Sequence, residues 1–476
     1  MSVPDTATEP AARALTPARR WWILAAVSLA TFMSYMDNNI LNVALPSIQR
    51  ELNVTIAGLE WIVSSYVLVF CGLMLAGGRL ADLYGRRRFF LLGVGVFTAA
   101  SLMAGLAGDL TTLVAGRVLQ GIGAALAIPV SLAVLTDTFR DERELNRAVG
   151  VWSAVGALAL ALGPPIGGFI SEHFRWGWVF LINVPFGLLT MVIAWLTLRE
   201  SRAATATRID VPGLAASILV LFPLTYALIE AHVRGWGSPV ILGSFTLAAL
   251  ALAAFVVIEN RATDPMVDLA LFRNRVFSGG LVAMVLWGFG VMGVYFFTAL
   301  YFQNILGFTP TRAGAAFIPL ALCMAVAAIL AETATRRLGA AVTVVTGLAL
   351  TVAGMVAGSL PGQGSGFTDF LPAFVLLGVG SGLALIPLTA VVLGALPPER
   401  AGAVSGLVNA SRELSALLGV TVVGAMLTAR QAAVERGGTP PPDSFVDGYQ
   451  FALQAAAAIV ALGLPLSAWV LRRRKL

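Results

Sequence analysis

Fourteen apolar runs of about 18–25 residues, each ended by a cluster of glycine, proline or arginine, follow one another along the chain. Their approximate limits are 21–44, 57–77, 88–107, 111–134, 147–170, 176–198, 212–231, 239–258, 276–302, 312–331, 339–358, 369–394, 402–428 and 449–471. A helix rises ~1.5 Å per residue, so runs of this length suit helices that cross the hydrocarbon core of a bilayer. An even number of crossings returns the carboxyl terminus to the side on which the amino terminus lies.

Composition agrees with that pattern. The 476 residues are 58% hydrophobic and 12% charged, with a mean hydropathy of +0.86, more apolar surface than a water-soluble core absorbs. The chain therefore reads as an all-α polytopic membrane protein. A net charge of +6 could suggest a nucleic-acid partner, but the basic residues sit in short loops between apolar runs, where they set topology. Of 31 basic residues, 23 fall in loops assigned to the inside and 6 outside, while Arg117 and Arg412 lie within spans. The asymmetry places both termini in the cytoplasm. The apolar run after residue 20 is too long for a signal-peptide core and lacks a small-residue cleavage site. Cys71 and Cys323, far apart in apolar runs, read as small core residues rather than a disulfide or metal site.

Against this background the charges inside spans carry information. Asp37 interrupts the first run, and a carboxylate there costs several kcal/mol unless it is protonated, paired or wetted. Asp37 lies about eight residues, or ~12 Å, from the outer end of its span; Arg117 lies about six residues, or ~9 Å, from the outer end of the fourth. The matching depth makes Arg117 the expected partner of Asp37, with a proton-coupling role weighed above a static ion pair. At ~100° per residue, Tyr35, Asn38, Asn39 and Asn42 form one stripe and Asp37 falls on another, so the asparagines and the aspartate are expected on different faces. Glu413 is a second deep acid, read as coupling, substrate-contacting or structural. Glu60, close to the outer end of its span, reads as an interfacial acid whose carboxylate reaches the surface.

Three further runs bear on mechanism. Gly78-Arg79-Leu80-Ala81-Asp82-Leu83-Tyr84-Gly85-Arg86-Arg87-Arg88 makes a tight inside turn, its glycines supplying backbone freedom and Asp82 an arginine partner. The fourth span buries Arg117 within Gly116-Arg117-Val118-Leu119-Gln120-Gly121. The fifth carries Gly156 and then Gly163-Pro164-Pro165-Ile166-Gly167-Gly168, where proline kinks the helix and glycine permits close helix approach. Among the residues that could line an apolar cavity are Asn38, Asn42, Trp152, Trp287, Tyr295, Tyr301, Gln303 and Asn409. No metal-ligand cluster, nucleophile–base set or phosphate loop is present, so an enzyme is not the expected class.

In order and spacing these runs resemble the major facilitator superfamily: the inside-loop motif Gly-x-Leu-Ala-Asp-x-x-Gly-Arg-Arg, the arginine motif of helix 4 and the antiporter motif Gly-Pro-x-x-Gly-Gly. Asp37 with Asn42-Val43-Ala44-Leu45-Pro46 is similar to the helix 1 motif of the 14-span drug:proton antiporter branch. Residues 178–187, 227–230 with Gly235-Trp236, and 300–307 resemble the same branch. The chain departs from it at Asn39, where threonine is usual, and at Glu413, where glutamine is common.

The resemblance implies a major facilitator fold of 14 helices. A cytoplasmic tail (1–20) precedes an amino-terminal six-helix bundle (21–198), an extra helix pair with a cytoplasmic linker (199–275), a carboxyl-terminal six-helix bundle (276–471) and a basic cytoplasmic tail (472–476). It further implies a proton-coupled exporter of amphipathic drugs or antibiotics in a bacterial inner membrane, working by alternating access as a monomer, with the proton gradient as its energy source and no cofactor. Asp37, Arg117 and Glu413 would serve coupling; Gly78, Asp82, Gly85, Arg86 and Arg87 the cytoplasmic gate, with the Asp82 loop and Arg143 or Arg147 latching that side when the protein opens outward; and Gly163, Pro164, Gly167 and Gly168 the antiporter motif. Alternatives are a proton-coupled carrier of a metabolite or lipid, or a non-transporting receptor on the same fold.

Overall fold

A computed structural model describes residues 16–139, 141–202, 210–263, 265, 267–396 and 401–471. The ends of both expected cytoplasmic tails, 1–15 and 472–476, lie outside the described residues. The described chain is built of helices: α1 (Pro17–Leu52), α2 (Ile56–Tyr84), α3 (Arg86–Gly105), α4 (Leu110–Thr138), α5 (Glu142–His173), α6 (Trp178–Leu181), α7 (Asn183–Thr197), α8 (Val211–Arg234), α9 (Pro239–Arg261), α10 (Arg275–Asn304), α11 (Pro310–Ala315), α12 (Ile318–Leu338), α13 (Ala340–Gly358), α14 (Phe367–Leu393), α15 (Ala401–Arg436), α16 (Pro441–Ala461) and α17 (Gly463–Leu471).

Thirteen spans are long and apolar enough to cross a membrane, three of them made of two helices in line: α6 with α7, α11 with α12, and α16 with α17. α1 supplies the fourteenth. Its 36 residues are ample in length, but Asp37, Asn38, Asn39 and Asn42 dilute its hydropathy. Short loops suffice because their polar residues also start the next helix. Thr55, Asp109, Asp141, Asp210, Asn274 and Thr309 each accept a backbone N–H of the first turn that follows.

One expected loop is shorter than its sequence suggests. The outer segment 429–448 is mostly helix, because α15 continues to Arg436 and α16 starts at Pro441, leaving 437–440 as the connection. Proline suits a first helical turn, and Arg430 pairs with Asp447 at 2.6 Å to tie the two extensions together.

α1–α7 form one bundle and α10–α17 the other. α8 packs on α9, and also touches α2 and α15, so the extra pair sits against the seam between the bundles. Trp61 of α2 donates its indole N–H to Glu230 of α8 at 3.1 Å. The outer ends of the two bundles meet directly. Gln303 of α10 donates to the Val43 carbonyl of α1 at 2.8 Å, and the Thr311 N–H of α11 donates to Glu172 of α5 at 2.9 Å. The structure is closed on the side that the charge pattern assigns to the outside.

Candidate functional site

Four spans of the amino-terminal bundle converge on Asp37. Asp37 and Arg117 are both fully buried and form an ion pair through Oδ2 and Nη1. The other carboxylate oxygen, Oδ1, accepts from Gln120 Nε2 at 3.0 Å and from Asn183 Nδ2 at 2.7 Å. Arg117 also donates to the Ile62 carbonyl (Nε, 3.0 Å), Gln120 Oε1 (Nη1, 2.8 Å) and Asn38 Oδ1 (Nη2, 3.1 Å). Its guanidinium lies 4.4 Å from the centroid of the Tyr66 ring, a cation–π contact strengthened by the lack of competing water. Everything around Asp37 donates, which is the complement of a carboxylate that only accepts.

This geometry corrects the face assignment for Asn38. One step along a helix turns ~100°, yet Arg117 presents a planar fork wide enough to take Asp37 on one nitrogen and Asn38 on another. Asn38 thus belongs to the charge network. Asn39 does stand apart: it donates back to the Tyr35 carbonyl at 2.8 Å. Gln120 and Asn183 were not among the expected site residues. Both are amides inside apolar runs: Gln120 sits one turn from Arg117, and Asn183 starts α7 just after the break at Ile182.

The antiporter motif lies between α1 and the opposite bundle. A Cβ built on Gly163 would stand 2.6 Å from Cβ of Asn39, and one on Gly167 would come 2.9 Å from Cγ1 of Ile40, so these two glycines seat α5 on α1. Gly168 faces the other way. Its Cβ would fall 2.9 Å from the Pro310 carbonyl carbon, and a Cβ on Gly314 of α11 would meet the carbonyl carbon of Pro164 at the same distance. Backbone therefore meets backbone across the outer side of the two bundles. Glu60 is corrected as well. Rather than reaching the surface it is 1% exposed, turned inward against Gly424 of α15 and Phe297 of α10.

At the end that the charge pattern assigns to the inside, Gly85 has φ +125°, a conformation that favours glycine, and ends α2 directly before α3. Gly78 packs on Pro129 of α4. Arg86 bridges two acids, Asp82 (Nη2, 2.7 Å) and Asp137 of α4 (Nη1, 2.5 Å). Asp82 takes Arg86 in this conformation, because the turn at Gly85 brings the start of α3 beside the end of α2. Arg87 donates its backbone N–H to Glu200 and its side chain to the Trp195 carbonyl.

Three of the expected cavity residues are engaged elsewhere. Trp287 is buried with its indole N–H on Ser381, and Tyr301 packs among Phe370 and Tyr449 with its hydroxyl on the Pro361 carbonyl. Gln303 belongs to the outer closure. Asn38, Asn42, Trp152, Tyr295 and Asn409 remain half-buried. The Trp152 indole is held by Thr31 at 2.8 Å, and Tyr295 stacks on Phe317 at 4.7 Å. Across the seam, Arg412 and Glu413 of α15, both half-buried, lie close enough to Tyr35 of α1 to act on it electrostatically. The Tyr35 ring in turn rests on Gly156, whose Cβ would be 3.1 Å away.

Two packed bundles, a buried ion pair in one and a glycine-lined seam between them are an arrangement suited to a membrane carrier. The model of the Major Facilitator Superfamily matches residues 27–420, and the chain belongs to that family of secondary transporters. It is 34% identical to the puromycin resistance protein pur8 of Streptomyces alboniger, covering 95% of this chain and 91% of that one. The tetracenomycin C resistance and export protein of Streptomyces glaucescens is 36% identical over 90% of this chain and 80% of its own length. The methylenomycin A resistance protein of Streptomyces coelicolor is 34% identical, with 85% of each chain covered. Among solved structures, a bacterial homologue of the human lysosomal transporter Spinster, inward-facing and unoccupied, superposes with a TM-score of 0.70 at 17% identity, covering 96% of this chain and 98% of that one. A peptide transporter of the POT family gives 0.71 at 18% identity, covering 97% and 98%. At such identities these two speak for the fold.

Proposed function

We propose that the protein exports amphipathic small molecules, antibiotics among them, across a bacterial inner membrane in exchange for protons, with Asp37 as the principal coupling acid. The observation that carries this reading is the buried ion pair of Asp37 with Arg117. A purely structural pair at such depth is poor value, since apolar side chains of similar volume are often as stable. A pair that must open when a proton arrives has a use. Protonating Asp37 cancels the charge that holds Arg117 and converts an all-acceptor group into one that also donates, while its three present partners, Arg117, Gln120 and Asn183, all donate to it. The network then rearranges, and the rearrangement bears on the antiporter glycines because Asn39 and Ile40, which seat Gly163 and Gly167, follow Asp37 on α1. Substrate moves outward on one half of the cycle and the proton inward on the other, with the bundles rocking around the seam.

The resistance exporters to which the chain is similar support small-molecule export. Purified protein in liposomes, with an imposed pH gradient and a panel of dyes and antibiotics, tests the reading. Proton movement on adding at least one compound is expected; none with any compound overturns it.

A further inference from the structure

Glu60 is a buried acid for which the proposed cycle has no use. It lies one turn inside the start of α2, near the outer surface, at the seam where α2 meets α15 and α10. Its Oε1 is buried and finds no hydrogen-bond partner among the described residues. One turn deeper on the same face, the Ser64 hydroxyl is also buried and unpartnered. The opposing wall is apolar and made to fit: a Cβ on Gly424 would stand 2.7 Å from Cδ of Glu60 and 3.0 Å from Cζ of Phe297. Only glycine leaves room for the carboxyl group.

Titratable groups on the elements packed on α2 are turned to other partners, among them Arg50 and Glu51 of α1, on Ser47 and Arg175, and Arg86 and Arg88 of α3, on Asp82 with Asp137 and on Glu200. Arg117 of α4 pairs with Asp37 of α1. Glu230 of α8 takes Trp61 and Arg234. Arg430 of α15 pairs with Asp447, while Arg412 and Glu413 lie three turns further in, beside Tyr35. Of α10, Tyr295 stacks on Phe317 and Tyr301 bonds the Pro361 carbonyl. A carboxyl group with a buried, unpartnered oxygen against glycine and a phenyl ring is tolerated in its neutral form and expelled in its charged one.

We propose that Glu60 is a proton-operated latch of the outer gate, binding a proton from the outside each time the two bundles close over it. The seam that buries Glu60 joins opposite bundles, so opening the outer side separates α2 from α15 and admits external water to the carboxyl group. Closing demands that it be protonated. The group never meets the inside, because the same closure that opens the path inward seals it. Its proton is taken from the external solution and returned to it, so Glu60 makes closure respond to external pH without adding to the protons exchanged per substrate. This rests on the alternating-access part of the function proposed above and is independent of which acid carries the driving proton.

The test measures the outer distance by pulsed electron spin resonance between labels on His173→Cys and Leu360→Cys, at the exposed outer ends of opposite bundles, with Cys71 and Cys323 replaced by alanine. The Asp37→Asn background removes the principal coupling acid from the readout, and comparison with Glu60→Gln in that same background subtracts what Glu413 contributes. With Glu60 present, the ratio of closed to open populations is expected to fall as pH rises, by up to about tenfold per pH unit, the limit for one linked proton. Glu60→Gln in the same background, neutral at every pH, is expected to stay closed with no slope. A slope unchanged by Glu60→Gln overturns the latch. A Glu60 protein whose outer distance follows substrate but ignores pH also overturns the latch, and leaves alternating access standing. A distance that answers neither pH nor substrate, in this background or with Asp37 restored, overturns alternating access and the latch with it. Should Glu60→Gln not fold, Glu60→Asp carries the comparison: one methylene shorter, it is expected to keep the slope and move its midpoint, and an unmoved midpoint contradicts the proposal.

Discussion

Gly168 of α5 and Pro310 of α11 meet backbone to backbone across the outer side of the molecule, where a Cβ on the glycine would fall 2.9 Å from the proline carbonyl carbon and 3.0 Å from Cα of Thr311. The contact joins opposite bundles, so it exists only while that side is closed. Adding a methyl group in Gly168→Ala costs ~1–3 kcal/mol of closed state through overpacking. The outward-closed population is expected to drop about five- to 150-fold relative to the open one, read as increased labelling of a cysteine placed in the seam by an impermeant reagent. Unchanged labelling would show that the glycine is not part of the closure.

Arg86 holds Asp82 and Asp137 on separate nitrogens, which ties the end of α2 to α4. A lysine in its place keeps the charge but cannot present two fixed donors to two acids. Hydrogen bonds to charged groups contribute ~1.5–3 kcal/mol each. Arg86→Lys is therefore expected to lower the transport rate in vesicles about tenfold or more, and adding Asp137→Asn to it should cost little further.

The Asp37–Arg117 pair should show strong thermodynamic coupling. Removing either side chain alone leaves a buried charge without its partner, a loss of ~3–5 kcal/mol, whereas removing both does not. Denaturation of Asp37→Ala, Arg117→Ala and the double variant in detergent is expected to find the double variant less destabilised than the two single losses combined. Additive losses would mean that the two charges do not depend on one another.

Glu413 and Arg412 place opposite charges beside Tyr35 in the half-buried space between the bundles. Glu413→Gln is expected to weaken binding of cationic substrates about tenfold or more, from the ~1.5–3 kcal/mol of a charged contact, and to leave neutral ones unaffected. Equal effects on both would place Glu413 outside the binding space. Competition against a fluorescent substrate distinguishes the two.

What could be read from the chain alone followed the strength of each physical constraint. Span number came through because a bilayer admits few alternatives to long apolar helices. The facing of Arg117 toward Asp37 was legible from depth, since both must lie at one level to meet. Asn38 was misplaced because helical angle describes where a Cβ points and not how far a guanidinium reaches. Glu60 was misread for a related reason: nearness to a span end says nothing of whether the opposite bundle covers that end. Gln303, Trp287 and Tyr301 have compositions that suit a cavity, and only packing between spans far apart in sequence shows them to be closure and core. Gln120 and Asn183 were the recoverable omissions, being amides in apolar runs with a buried ion pair in need of donors.

The central claim is that the Asp37 charge couples proton entry to export. Its most direct measurement is substrate transport by Asp37→Asn in liposomes, compared with and without an imposed pH gradient. The account expects the variant to equilibrate substrate down its own gradient while the pH gradient no longer drives accumulation. Accumulation as strong in Asp37→Asn as in the parent protein would contradict it.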